Sequence, residues 1–143
     1  DQRAVEERPD VAVFTGPVLD RDVAVIGGVR AHVTFASSSP VADLAVKLVD
    51  VHPDGRAMLV VDSVLRLTDL PGDGTEVTVD VGSTALVFGA GHRIRVEIAS
   101  SNFPRFAPVP GRAEQTVWCG GRARSRVELP VVELPASPSR RTG

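Results

Sequence analysis

Leu44-Ala45-Val46-Lys47-Leu48-Val49-Asp50-Val51, then His52-Pro53-Asp54-Gly55-Arg56, then Ala57 through Leu67: the reading of this stretch decides the fold. Leu44, Val46 and Leu48 fall on one side of an extended chain, and Ala45, Lys47 and Val49 on the other. A period of two is the signature of a strand with one face in a core. Pro53 presets φ for a turn, Asp54 can bond back to the main chain, and Gly55 accepts positive φ. Residues 44–67 therefore predict a β-hairpin.

The same alternation extends outward in both directions. Val29, Ala31, Val33 and Phe35 oppose Arg30, His32 and Thr34, until Ser37-Ser38-Ser39-Pro40 breaks the run. Upstream, strands are expected over Val11–Thr15, stopped by Gly16-Pro17, and over Asp22–Ile26, closed by Gly27-Gly28. Downstream, Pro71-Gly72-Asp73-Gly74 precedes strands at Val77–Val81 and Thr84–Phe88. In His92–Ser100, Ile94, Val96 and Ile98 alternate with Arg93, Arg95 and Glu97. Shorter strands are expected at Gln115–Trp118 and Arg126–Leu129, after a proline-rich loop over 102–111. No segment carries a helical apolar stripe. Roughly nine or ten short antiparallel strands favour two packed sheets, an all-β sandwich. Residues 1–10 read as a linker, 11–135 as the sandwich, and 136–143 as a disordered polar tail.

With 143 residues, 43% hydrophobic and 24% charged, the chain has the makings of one globular domain. A net charge of -2 gives no pull towards nucleic acid or anionic membrane. The apolar runs fall far short of the ~20 residues of a spanning helix. Cys119 is the single cysteine, so an internal disulfide is impossible and a cytoplasmic home is expected. The opening Asp1-Gln2-Arg3, without a Met, suggests that an upstream region has been removed.

Catalytic chemistry finds little to build on. The Gly-x-Ser-x-Gly elbow of a serine hydrolase is missing. Ser100 or Ser101 could be combined with His92 and with Asp50 or Asp80, but such a set occurs in most chains of this length. The ordinary reading has the serines ending a strand and His92 bonding across its turn. His32 is expected on an outward face, and His52 beside the turn. The three histidines lack the close spacing of a zinc site, so no metal ligand, cofactor site or catalytic residue is assigned. The aspartates do not follow a calcium-loop spacing. Cys119 stands near Arg122 and Arg124, which could activate a thiol, though an inert thiol at a strand end is the simpler expectation. Arg122, Arg124 and Arg126 lack the interleaved aromatics of a nucleic-acid groove. A sugar site would need flat aromatic platforms. Phe14, Phe35 and Phe88 are expected in the core, which leaves Trp118, Phe103 and Phe106.

The sixteen residues from Gly91 to Phe106, Gly-His-Arg-Ile-Arg-Val-Glu-Ile-Ala-Ser-Ser-Asn-Phe-Pro-Arg-Phe, resemble a signature of the C-terminal domain of X-Pro dipeptidyl-peptidases and the cocaine-esterase family. Lys47 to Ala57 does so too, as do Asp1-Gln2-Arg3, Arg8 to Val11, Thr84-Ala85 with Phe88, and Leu129-Pro130-Val131. The similarity runs in order from Asp1 to about Val132. It implies a jelly-roll sandwich of the galactose-binding-like type, packed against an α/β-hydrolase domain. It also implies that the Ser-Asp-His triad lies in that other domain, so no catalytic residue maps here. The expected partners are the hydrolase and cap domains of the same parent chain, with homo-oligomer contacts possible. The expected domain-facing residues are His52, Asp54 and Arg56 of the turn, with Ser101, Phe103, Arg105 and Phe106 of the loop. The sequence departs from the family pattern at Ser63, where glycine is common, and in short connections over 68–75 and 107–114. The family's domain also begins before Asp1, so an uncovered apolar face is expected. The alternative is a stand-alone carbohydrate- or ligand-binding module.

Overall fold

The computed structural model describes residues 1–101, 111, 113–121 and 123–135. Among the described residues, one helical turn, α1 (Arg3–Glu6), is followed by ten strands: β1 (Val11–Val18), β2 (Val23–Ser37), β3 (Ala42–Val51), β4 (Ala57–Leu67), β5 (Thr75–Phe88), β6 (Arg93–Ala99), β7 (Gln115–Gly120), β8 (Ala123–Arg124), β9 (Arg126–Glu128) and β10 (Val131–Val132). The first sheet runs β1-β6-β3-β4, antiparallel throughout. The second is built on β2. One edge of β2 pairs with β5 from Val23–Phe88 to Phe35–Thr75. The other takes β10, β9 and β7 in series, and β8 adds to β7.

The inward-facing residues are those the alternation marks. Val29, Ala31, Val33 and Phe35 of β2 join Val79, Val81 and Phe88 of β5 against Leu44, Val46 and Leu48 of β3. Each fully buried side chain of this kind favours folding by ~1.5–3 kcal/mol before entropy is counted. The hairpin expected over 44–67 is the β3–β4 pair, in register from Ala42–Leu67 to Val51–Ala57.

Two expected breaks do not occur. The chain passes through Gly27-Gly28 without leaving β2, and through Gly82 without leaving β5. Both spots are places where a backbone must come close or bend, which is a second use of glycine in a strand. At Gly27, with φ 130°, a Cβ would lie 3.2 Å from the Pro130 ring. At Gly82, with φ 117°, it would lie 2.9 Å from the Val61 side chain, beside the shift in register opposite Val29 and Arg30.

The first ten residues, read as a linker, are tied to the first sheet. Gln2 N donates to Ala57 O at 2.6 Å, Lys47 Nζ donates to Gln2 Oε1 at 3.0 Å, and Glu6 pairs with Arg95. These ties reach the first sheet at Lys47 of β3, whose ten residues are all buried, at Ala57 of β4 and at Arg95 of β6. A charged sequence gave no hint of them, because the contacts are polar and long-range. Phe14 departs from its expected core position: it is 36% exposed on β1.

Candidate functional site

The polar residues of greatest interest gather where two turns meet at one end of the first sheet. The β3–β4 turn is braced by His52 N donating to Arg56 O (2.8 Å) and Gly55 N donating to His52 O (2.9 Å). Asp54 accepts from Arg56 twice, from its backbone N at 3.0 Å and its Nε at 2.7 Å. The Arg56 backbone N–H, and then its guanidinium, hold the Asp54 carboxyl below the usual carboxylate range. The β5–β6 turn is fixed by His92 N donating to Gly89 O (3.0 Å), Gly91 N to Leu19 O (2.8 Å) and Leu19 N to His92 O (2.8 Å).

The β3–β6 pairing ends at Val51–Arg93, and one further step sets His52 opposite His92. Their rings lie 4.3 Å apart, tilted by 43°. Asp50, on the same face one residue before Val51, holds both: its Oδ1 is 2.8 Å from His92 Nδ1, and its Oδ2 is 3.4 Å from His52 Nε2. The Asp50 side chain is only 8% exposed, whereas His52 and His92 show 26% and 18%. Gly89 leaves room for the second ring, since a Cβ there would stand 3.1 Å from His92 Nε2. One oxygen or nitrogen from each of Asp50, His52 and His92 lies within 4.8 Å of the others. No metal ligand was assigned from the sequence, because His52 and His92 are far apart along the chain. The available signal was Asp50 and His52 two apart at a strand end, where both point to one face.

The possible serine sets do not assemble. Asp50 and His92 do bond, but Ser100 follows the far end of β6, about 26 Å along the strand from His92 at ~3.3 Å per residue. Asp80 instead accepts from Gly82 N at 3.1 Å. For the same reason the expected domain-facing residues divide: His52, Asp54 and Arg56 lie at one end of the first sheet and Ser101 at the other. Phe103, Arg105 and Phe106 lie outside the described residues, as do Arg122 and the tail over 136–143.

The remaining candidates have structural neighbours. His32 is enclosed by cross-strand partners, with Nδ1 3.0 Å from Thr78 Oγ1 and Nε2 3.0 Å from Glu128 Oε1. Arg124 donates to Gly121 O at 3.0 Å, and Arg126 pairs with Glu76. Partial burial pushes the Cys119 thiol up, the reverse of activation. Trp118 lies over the turn before β5, where a Cβ on Gly74 would meet its ring at 3.0 Å. An open apolar cleft of about 390 Å³ separates β1 and β6 from β2 and β9, lined by Phe14, Val33, Val96, Ile98, Val127 and Leu129 among others.

A two-sheet antiparallel sandwich, with polar clusters at its turns and no assembled serine triad among the described residues, defines the class as a β-sandwich domain. The chain belongs to the family of X-Pro dipeptidyl-peptidase C-terminal non-catalytic domains, whose model matches residues 2–128. It is 39% identical over 116 residues to the cocaine esterase of Rhodococcus sp. (strain MB1 Bresler), covering 74% of this chain and 20% of that protein. Among solved structures it is similar to an aminopeptidase from a marine sediment Thaumarchaeota archaeon, with TM-score 0.83, 26% identity, and 93% and 27% of the two chains covered. It is similar also to an α-amino acid ester hydrolase, with TM-score 0.84, 25% identity, and 92% and 27% covered. The chain thus spans 20–27% of the length of these relatives.

Proposed function

We propose that this sandwich braces the catalytic domain of a larger serine acyl hydrolase, an esterase or an X-Pro dipeptidyl-peptidase, and takes no part in bond cleavage. One observation carries the reading. A family model of non-catalytic domains matches nearly the whole chain, while this chain's matches cover only 20% and 27% of its hydrolase relatives. The family match supports an upstream α/β-hydrolase domain and a cap domain in the same parent. The turn at His52, Asp54 and Arg56 and the loop from Ser101 through Phe106 are the proposed contacts. The turn and Ser101 lie at opposite ends of the first sheet, which fits two bodies, one at each end. The decisive test is hydrolysis of a p-nitrophenyl ester by the chain alone and by the parent enzyme. The parent turns the ester over and the chain does not. Turnover by the chain that vanishes on Ser100→Ala or His92→Gln would overturn the proposal.

The apolar cleft supports a second reading, a ligand-binding module. Its volume is within the range of small-molecule pockets, and its lining suits an apolar ligand better than a sugar. A thermal-shift screen of apolar ligands and glycans without a hit would remove this alternative.

A further inference from the structure

We infer that Asp50, His52 and His92 form a binding site for a divalent ion of the zinc class, which clamps the β3–β4 turn to the β5–β6 turn. The atoms facing one another are of the right kind. Two imidazole nitrogens and a carboxylate oxygen suit a borderline ion such as Zn²⁺ and suit Mg²⁺ or Ca²⁺ poorly. The spacing is close to what such an ion needs. Ligand atoms held about 2.0–2.1 Å from a tetrahedral ion stand about 3.3 Å apart. Here the two nitrogens lie 2.8 and 3.4 Å from the Asp50 oxygens, and all three ligand atoms fit within 4.8 Å.

An ordinary hydrogen bond accounts for His92, whose Nδ1 meets Asp50 at 2.8 Å. It does not account for His52, whose Nε2 stops 3.4 Å from the other oxygen, longer than a good N–H···O bond. An ion shared by the three groups gives the second imidazole a role. The framework is also in place before an ion arrives. His52 N and His92 N are each held by a turn hydrogen bond, and Asp50 sits in a ladder with Ile94 and Met58 on either side. Both histidine side chains keep partial exposure, 26% and 18%, which allows an ion to enter and water to take a fourth position.

The test uses the full 143-residue chain, with any affinity tag removed and Cys119→Ser introduced so that no thiol competes. Calorimetry with Zn²⁺ is expected to show one saturable equivalent. At a hundredfold excess over Kd, the melting temperature is expected to rise by about 5 °C or more. Mg²⁺ and Ca²⁺ are expected to leave it unmoved. His52→Gln tests the site without disturbing the core, and is expected to lower Zn²⁺ affinity at least tenfold while the ion-free melting temperature is kept. Co²⁺ bound to the chain should show visible absorption that disappears in His52→Gln. Failure of Zn²⁺ to bind, binding unchanged in His52→Gln, or an equal response to Ca²⁺ would each overturn the site.

Discussion

A carboxyl on the outer face of a sheet normally meets water, but Glu97 is 1% exposed, between β1 and β3 and within reach of Glu6. Lys47 Nζ stands 3.9 Å away, too far to donate. Burial, reinforced by the neighbouring carboxyl of Glu6, pushes Glu97 up to about 7 from 4.5. The folded state therefore holds a proton that the unfolded chain has released, and stability falls as pH rises from about 4.5 through about 7. Glu97→Gln should flatten that slope and raise stability at pH 8 by on the order of 1–3 kcal/mol. Urea melts of both proteins at pH 5 and pH 8 check this, and parallel pH profiles would contradict it. Gly82→Ala adds a Cβ 2.9 Å from Val61 at φ 117° and is expected to cost about 1–3 kcal/mol in the same assay. At this scale the sequence was legible only where partners are local. The Asp54–Arg56 turn could be read, but the Asp50–His92 bond joins residues 42 apart and needed the β3–β6 register.

Among the elements, the β3–β4 hairpin was legible because one turn and two alternating runs specify it. The lengths of β2 and β5 were not. Gly27-Gly28 and Gly82 look like stops, yet each serves a close approach within a continuous strand. The helical turn α1 escaped notice because four residues carry no periodic signal. Its ties to Ala57, Lys47 and Arg95 make the amino-terminal segment part of the first sheet's outer cover. Deleting residues 1–6 should therefore lower the melting temperature by about 5 °C or more. It should also speed amide exchange around Lys47 and Ala57, which would lose their bonds to Gln2. An unchanged exchange pattern would show that the segment only rests on the surface.

For the molecule as a whole, the long β2–β5 ladder and the core beneath it should be the last region to exchange its amides. The two-residue strands β8 and β10 should open first. Native-state hydrogen exchange measures this order directly, and early loss of protection at Val33 or Val79 would contradict it. The series of short strands on the other edge of β2 has a consequence for synthesis. Residues 115–132, which pair with that edge, leave the ribosome well after β2 itself. Until they emerge, β2 offers a row of unpaired amides and carbonyls to any neighbouring nascent chain. A message cut short after β6 thus yields a sticky product, and these later-made strands act as the seal that keeps newly made copies apart.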